Sequence, residues 1–340
     1  MAFRRLPLLL ATLIALLPAC ASDELQAPPE PVEGTLTLNA STGWAYASLV
    51  DESSVVVGDP TTSPAWDIAF NATRVMLNGG AAGPGGTVGY CICENAAATD
   101  DQVVAMTAAT ELADFESVAA TDVPAAGSFE SEALIPAVNG WFTGEGAAAA
   151  ASPGKAWLLR LGDGLSYAKL RVVSLAGPTA SHAGQVNLEY AVQTAGDQPF
   201  GATQSVTLDA AAPVSLDLNT GSSTPAEGTW DLRLEGFTLR LNSGVSGTGT
   251  AGAAETADAF EAITTASVDS RAYQIDGFAG VFNSHPWYRY NITGQNRIHP
   301  TFEVFLIRRG TAVYKVQVIN YYSATDDPRH ITFRYAKLAD

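Results

Sequence analysis

The alternation of apolar and polar residues along the chain predicts a structure built mainly from β-strands. Residues 157–161 and 167–173 lie on either side of an Asp-Gly turn at residues 163–164, which is the pattern of a β-hairpin. Residues 302–307 and 313–319 repeat this arrangement. Because successive side chains of a strand point to opposite faces of a sheet, these segments favour antiparallel strands. The predicted fold class is therefore all-β.

Helices are predicted to be minor elements. Asp101–Val118 and Thr256–Ile263 are the helical candidates, since each begins near Asp or Thr, residue types that cap helix N-termini. In the strand at 313–319, Val316 and Val318 are expected to share one face, with Lys315 on the other.

Several pieces of sequence recur in the same order in the two halves of the chain. Trp66 stands eleven residues before Leu77, and Trp230 stands eleven residues before Leu241. The other matched pieces are 114–118 with 259–263, Trp141 with Trp287, 167–172 with 313–318, and 186–190 with 331–335. This ordered repetition indicates a tandem duplication. It predicts one domain over 37–195 and a second over 203–340.

The N-terminus has the features of an export signal. Two arginines precede an uncharged run from Leu6 to Leu17, which is shorter than the roughly 20 residues of a membrane span. We therefore expect residues 1–19 to be a signal peptide. The sequence Leu-Pro-Ala-Cys ending at Cys20 resembles a bacterial lipobox, so Cys20 is the expected lipidation site, with ordinary secretion as the alternative. Residues 20–36 are polar and rich in proline, which favours an extended tether from the lipid anchor.

Charge and composition argue against two classes of function. The 340 residues carry 18 lysines and arginines against 35 aspartates and glutamates, a net charge of −17. Binding nucleic acid requires clustered positive side chains, and the sequence has no such cluster. No Gly-x-Ser-x-Gly or His-Glu-x-x-His pattern occurs, and four histidines and three cysteines offer little for a metalloenzyme. We expect a non-enzymatic protein without a nucleic-acid partner.

Each copy resembles the HmuY family of bacterial haem-binding lipoproteins. The resemblance is carried by residues 66–70 with 78–80, by 287–290, and by 314–315, 320–322 and 332–335. It implies an all-β fold, a lipoprotein anchored at the bacterial outer membrane, and capture of haem for iron acquisition beside an outer-membrane transporter. Family members that bind haem use two axial side chains, usually histidines, from loops at the mouth of a cleft.

The second copy contains the candidate haem site. His285 and His299 flank the aromatic segment 287–290, and each precedes proline, which favours extended or loop geometry. A neutral imidazole can ligate haem iron. Among the other candidates, Trp287, Tyr288 and Tyr290 would line an apolar slot, and Arg289 and Arg297 would pair with the haem propionates. The alternative is that both histidines are ordinary loop residues and that the aromatic side chains fill a core.

The two remaining cysteines lie two residues apart. Cys91 and Cys93 predict a local disulfide or two buried thiols, since the neighbouring sequence has no further Cys or His for a soft metal. No metal other than haem iron is expected. The leading hypothesis is thus a lipid-anchored protein that binds haem or a related porphyrin. The alternative is an interaction lipoprotein with the same fold that binds a protein or a glycan.

Overall fold

The computed structural model describes residues 33–193, 198–264 and 272–339 of the chain, and most of them lie in or between antiparallel strands. The all-β prediction is confirmed. The helices are α1 (Asp100–Ala105), α2 (Leu112–Ser117) and α3 (Val281–Ser284). Short 3-10 helices occur at Ala120–Asp122, Ala126–Ser128, Gly146–Ala148 and Phe260–Ala262. None of the helices in these described ranges is long and apolar enough to cross a bilayer.

The strands are numbered in chain order. The first twelve are β1 (Glu33–Asn39), β2 (Ala45–Ser48), β3 (Ser53–Val55), β4 (Ile68–Asn71), β5 (Arg74–Leu77), β6 (Val88–Cys91), β7 (Ala133–Ile135), β8 (Phe142–Thr143), β9 (Ala150–Ala151), β10 (Ala156–Arg160), β11 (Tyr167–Ala176) and β12 (Gln185–Gln193). The others are β13 (Gln204–Asp209), β14 (Val214–Leu216), β15 (Leu232–Glu235), β16 (Thr238–Leu241), β17 (Gly252–Thr256), β18 (Gly277–Ala279), β19 (Tyr288–Tyr290), β20 (Ile298–Pro300), β21 (Val304–Arg309), β22 (Ala312–Tyr322) and β23 (Pro328–Ala339).

Both predicted hairpins are present, and each forms part of a five-stranded sheet. The β10–β11 hairpin lies in a sheet of order β13-β12-β11-β10-β17, and the β21–β22 hairpin lies in a sheet of order β1-β23-β22-β21-β6. Each of these two sheets therefore joins strands from both sequence copies. β1 pairs with β23, and β13 pairs with β12.

Sheet pairing divides the described chain into two units that differ from the sequence copies. We call residues 33–132 together with 277–339 the split unit, and the described residues of 133–276 the continuous unit. The two-stranded sheet of β7 and β18 joins the units. The predicted domains, 37–195 and 203–340, remain a proposal about the duplicated sequence. The strand pairing shows that both five-stranded sheets take strands from both of these segments.

The hydrophobic cores follow the same division. The largest core of the split unit is formed by side chains from residues 38–91 and 281–335, and that of the continuous unit by side chains from residues 138–253. Three smaller clusters also lie within one unit each, so none of the five clusters of described residues combines the two. Trp141 and Trp287, which the repeat aligns, are each 1% exposed, in different cores.

The aligned sequence pieces make the same contacts in both units. The Asn78 side chain donates to the Trp66 carbonyl at 2.8 Å, and the Asn242 side chain donates to the Trp230 carbonyl at 2.8 Å. All four residues are buried. The asparagine amide therefore fixes the tryptophan backbone of each Trp-Asp piece, which explains the constant spacing between tryptophan and Leu-Asn.

The aspartates next to these tryptophans are structural. Asp67 accepts a hydrogen bond from the Leu49 amide at 2.8 Å, and Asp231 accepts one from the Leu218 amide at 2.8 Å. The units differ in one respect: Arg309 forms an ion pair with Asp67 at 2.8 Å. Asp231 instead accepts a backbone amide at its second oxygen, and burial raises its pKa to about 6.

A buried lysine connects the two sequence copies within each unit. In the split unit, Lys315 Nζ donates to the carbonyls of Phe115 at 2.7 Å and Val118 at 3.1 Å, at the end of α2. Lys169 makes the matching bonds in the continuous unit, at 2.9 Å each, to the carbonyls of Phe260 and Ile263. Both faces of β22 are therefore buried, since Val316 and Val318 pack in the core on the other side.

The helical predictions are corrected by the structure. In place of one helix over Asp101–Val118 there are two of six residues, α1 and α2. Thr107 and Thr110 separate them, because each backbone amide donates to the other threonine's hydroxyl in competition with helical bonds. Within Thr256–Ile263, Thr256 ends strand β17, and only the 3-10 turn Phe260–Ala262 is helical.

The predictions for the N-terminus lie mostly outside the described residues. The signal peptide 1–19, the lipidation site Cys20 and the tether up to residue 32 are among them. The strand β1 begins at Glu33, so the last four residues of the segment predicted as a tether belong to a sheet.

Candidate functional site

The haem-site candidates lie in the split unit, around the hairpin formed by β19 and β20. Arg289 faces His299 in the register of this hairpin, and Tyr288 faces Pro300. His285 precedes the hairpin, at the end of α3, where its amide donates to the Val281 carbonyl at 2.8 Å. One hairpin and the helix before it thus carry all the candidates.

His285 lies beside the two cysteines. Cys91 and Cys93 are joined by a disulfide whose Cα atoms are 5.1 Å apart. A nitrogen of His285 and both sulfur atoms lie within 4.8 Å of one another. This proximity could not be predicted from the sequence, because His285 is almost 200 residues further along the chain.

His299 is partly buried and is biased toward its neutral form. Burial, together with the positive charge of Arg297, lowers the pKa of His299 below its usual value. Its Nε2 is 3.5 Å from the Thr293 hydroxyl. A neutral imidazole has a nitrogen lone pair for a metal, so His299 has the charge state that ligation requires.

The three aromatic candidates occupy different environments. Trp287 is 1% exposed and belongs to the core, with its ring nitrogen donating to the Thr73 carbonyl at 3.0 Å. Tyr288 is partly buried at the core margin, and Tyr290 is 58% exposed. Trp287 therefore fills a core position, as the alternative to a haem-lining role predicted. Tyr288 and Tyr290 remain as the aromatic side chains accessible to a ligand.

Both arginine candidates already have acidic or backbone partners. Arg289 forms an ion pair with Asp100 at 2.7 Å and also donates to the Ala98 carbonyl. Arg297 donates to both carboxylate oxygens of Asp326, at 2.8 and 2.6 Å, and its guanidinium lies 4.1 Å from the centre of the Tyr322 ring. The two aspartates are more than half exposed, so a haem propionate would have to displace them.

Two cavities lie on either side of the segment that contains Pro286 and Tyr288. The smaller cavity, about 290 Å³, is lined by polar and ligating side chains that include Cys93, His285, Arg289 and Glu303. Burial raises the pKa of Glu303. Of the candidates, the structure brings His285, Tyr288 and Arg289 together here.

The larger cavity lies where the two units meet. Its volume is about 400 Å³, and its lining includes Trp44 and Tyr288 from the split unit and Ile275 and Asp276 from the continuous unit. The guanidinium of Arg74 lies 5.6 Å from the centre of the Trp44 ring at the same cavity. None of the histidines lines this cavity.

Two buried acids beside this junction were missed by the sequence reasoning. Glu132 accepts a hydrogen bond from the Leu77 amide at 3.0 Å, and Asp276 accepts one from the Leu241 amide at 2.9 Å. Burial and the nearby charge of Glu130 raise the pKa of Glu132 to about 7. The available signal was an acid directly before each of two short segments, residues 133–135 and 277–279.

Fold and site together define a mostly β-stranded protein with a histidine-bearing surface hairpin. Residues 40–190 match the family described as HmuY protein. The resemblance noted from the sequence is confirmed over this stretch, which includes parts of both units. The second predicted copy lies beyond the match, and its membership remains a prediction. No curated protein matches the chain.

Three solved structures show distant similarity. A putative HmuY-like haem-binding protein from Bacteroides vulgatus is 11% identical, with 92% of this chain and 94% of that chain covered and a TM-score of 0.35. A putative lipoprotein from Bacteroides fragilis is 10% identical, with 89% of each chain covered and a TM-score of 0.31. An apo HmuY analogue from Tannerella forsythia is 9% identical, with 92% and 98% covered and a TM-score of 0.29. These TM-scores lie below the level at which a shared fold follows.

Proposed function

We propose that this protein is a non-enzymatic lipoprotein that binds haem or a related porphyrin for iron acquisition. The observation that supports this most strongly is the match of residues 40–190 to the family described as HmuY protein. Haem capture is what the resemblance to this family implies. The lipid anchor at Cys20 would hold it at the outer membrane, where an outer-membrane transporter would receive the haem.

The proposed iron ligands are His285 and His299. His285 opens onto the smaller cavity, and the lowered pKa of His299 favours the neutral imidazole that iron requires. Tyr288 and Tyr290 provide aromatic surface near them, and their exposure suits a porphyrin that remains partly open to solvent. A propionate would approach Arg289 or Arg297 by exchanging with Asp100 or Asp326.

The expected stoichiometry is one haem per chain. The Trp141–Trp287 alignment places Asn139 and Pro153 of the continuous unit at the positions of His285 and His299. Neither side chain can ligate iron as an imidazole does, so only the split unit has the proposed ligand pair.

A haemin titration of residues 21–340, which include every described residue, tests the proposal. We expect a sharp Soret shift that saturates at one equivalent. His285→Ala together with His299→Ala should abolish the six-coordinate spectrum, whereas Asn139→Ala should leave it unchanged. A featureless response that does not saturate would contradict haem binding.

A second candidate is an interaction lipoprotein that binds a protein or a glycan without haem. It is favoured by the buried position of Trp287 and by the ion pairs of Arg289 and Arg297, which assign three of the haem candidates to the fold itself. The haemin titration separates the two candidates, since this one predicts no saturable Soret shift in any variant.

The anchor is tested separately. Labelled palmitate should be incorporated into the full chain and recovered in the outer-membrane fraction, and Cys20→Ser should abolish both results. Incorporation that persists in Cys20→Ser would contradict lipidation at this residue.

A further inference from the structure

We propose that Cys91, Cys93 and His285 form a redox-gated site for a thiophilic metal ion, with Zn²⁺ as the ion of reference. The disulfide closes the site, and its reduction provides two thiolates beside the imidazole. This inference concerns a metal without haem and does not depend on the proposed porphyrin binding.

The three ligand atoms already lie close together. Both sulfur atoms and a nitrogen of His285 lie within 4.8 Å of one another. Zinc–sulfur bonds of about 2.3 Å and zinc–nitrogen bonds of about 2.0 Å place two ligands of a tetrahedral ion roughly 3.5–3.8 Å apart. Once the disulfide is reduced, rotation of the cysteine side chains can open the sulfur pair to that separation while the backbone stays in place.

The backbone on both sides of the cluster is held by the fold. Cys91 ends β6 opposite Phe305, and the amide of Ile92 donates to the Val304 carbonyl at 2.9 Å. Cys93 has a φ of +59°, in the left-handed region that non-glycine residues seldom adopt and that is frequent at functional sites. Its sulfur atom is bonded to that of Cys91. His285 is fixed from the other side by α3.

The surroundings give such an ion an open coordination position. Cys91 is buried, whereas Cys93 and His285 are partly exposed on the smaller cavity. Zinc and copper(I) bind to thiolate and imidazole ligands, whereas magnesium and calcium prefer oxygen ligands. A site with three protein ligands leaves the fourth position to water or another small ligand, which the cavity of about 290 Å³ can admit.

The chemistry balances with a dithiol as the reductant. The dithiol transfers two electrons and two protons to the Cys91–Cys93 disulfide, whose sulfur–sulfur bond breaks to give two thiols, and the dithiol becomes its own disulfide. Binding of Zn²⁺ then releases the two thiol protons to solvent as two zinc–thiolate bonds form. Exchange with a disulfide oxidant reverses the step: the two thiolates give two electrons to that disulfide, which takes up two protons from solvent and becomes a dithiol. The Cys91–Cys93 bond forms again and Zn²⁺ leaves, because a disulfide offers no thiolate.

The continuous unit provides an internal comparison. Ala253 pairs with Leu159 as Cys91 pairs with Phe305, and Leu159 and Phe305 stand at aligned positions of the repeat. Asn139 stands where the split unit has His285. Among the described residues, the cysteine–histidine cluster therefore belongs to the split unit alone.

A titration with Co²⁺ and Zn²⁺ tests the site on residues 21–340, which exclude Cys20. The protein is reduced with a phosphine, freed of reductant under argon, and compared with the untreated disulfide form. We expect the reduced protein to bind one Co²⁺ per chain with a thiolate-to-cobalt charge-transfer band that one equivalent of Zn²⁺ removes. The disulfide form should show neither the band nor stoichiometric binding.

Variants assign the ligands. Cys91→Ser with Cys93→Ser should abolish the band, and His285→Ala should weaken metal binding by at least about 100-fold, the upper range for losing even an outer-shell partner of a metal site. His330→Ala is the matched histidine control and should bind like the parent protein. Circular dichroism confirms that each variant is folded. The proposal is overturned if the reduced parent shows no stoichiometric charge-transfer band, or if His285→Ala binds the metal as tightly as the parent.

Discussion

Replacing Lys315 with methionine should destabilise the split unit while sparing the continuous unit. Lys315 belongs to the second sequence copy, but its ammonium group donates to carbonyls at the end of α2, in the first copy. It is 2% exposed and lies 4.5 Å from the centre of the Phe115 ring. Methionine has a similar length and no charge, so Lys315→Met removes these bonds with little change in volume.

The expected loss is about 2–4 kcal/mol of unfolding free energy. The ammonium group also donates to the Glu116 carbonyl at 3.4 Å. The two shorter hydrogen bonds from this charged donor contribute roughly 1.5–3 kcal/mol each, and their loss leaves two buried carbonyls without this partner. The cation–π contact adds about 1 kcal/mol. The net loss of unfolding free energy is smaller than this sum, because the methionine variant no longer has the desolvation cost of burying an ammonium group.

Hydrogen exchange followed by mass spectrometry locates the loss. In Lys315→Met, we expect faster exchange in β1 and β23, whereas β10 and β17 should keep their protection. Lys169→Met is the matched variant for the continuous unit and should give the reverse pattern, since Lys169 bonds the carbonyls of Phe260 and Ile263. Urea unfolding of both variants measures the size of the effect.

The result that would refute this reasoning is equally specific. If Lys315→Met lost protection across 204–264 and kept it in β1, the lysine would act within its own sequence copy. The strand pairing described above would then be wrong for the protein in solution.

Three further predictions follow from buried and exposed groups of the split unit. Because burial raises the pKa of Glu132 from 4.5 to about 7, its contribution to stability is full below pH 4.5 and is lost as the pH rises through 7. That loss amounts to about 3 kcal/mol. Glu132→Gln should therefore reduce the difference between the urea midpoints measured at pH 5 and pH 8. An unchanged difference would contradict the assignment. Trp287→Ala should lower the free energy of unfolding in urea by about 3–5 kcal/mol, because it empties a core position. Tyr290→Ala should lower it by less than about 0.5 kcal/mol, because that side chain is exposed. Equal losses would count against the core assignment. If both proposals hold, Zn²⁺ should weaken haemin binding about tenfold or more in the reduced protein by occupying His285, and equal weakening in the disulfide form would exclude that competition.

Local features of the fold were predictable from the sequence. The two hairpins follow from alternation and turn residues, and the Trp-Asp pieces follow from their constant spacing, which the Asn78 and Asn242 side chains explain. The role of Asp67 and Asp231 was also predictable, because each recurs next to tryptophan in both copies, which fits a structural hydrogen bond better than a catalytic role.

The pairing of the strands was not predictable in the same way. β12 and β23 carry the same pattern, since they are aligned copies of one strand, and so do β1 and β13. The pattern therefore gives no preference between partners in one copy and partners in the other. In the structure, β13 pairs with β12 after a short connection, whereas β1 pairs with β23 from the other end of the described chain.

The candidate site was predictable only in part. Extended or loop geometry at His285 and His299 follows from the prolines after them, but the pairing of β19 with β20 was not predicted. Burial separates Trp287 from the accessible side chains, and burial depends on tertiary packing. The closeness of His285 to Cys91 and Cys93 has the same origin, because the pairing of β6 with β21 brings distant parts of the sequence together.

Cross-linking by engineered cysteines tests the exchange of strands between sequence copies most directly. Thr37 faces Thr332 in the register of β1 and β23, with their hydroxyl oxygens 2.9 Å apart, whereas the aligned residue in the first copy's own last strand is Asn187, which faces Thr207. In dilute monomeric protein, Thr37→Cys with Thr332→Cys should form an intrachain disulfide on mild oxidation, which peptide mapping identifies. The control pair, Thr37→Cys with Asn187→Cys, should form none. Cross-linking of residues 37 and 187, with none between 37 and 332, would contradict the two-unit structure.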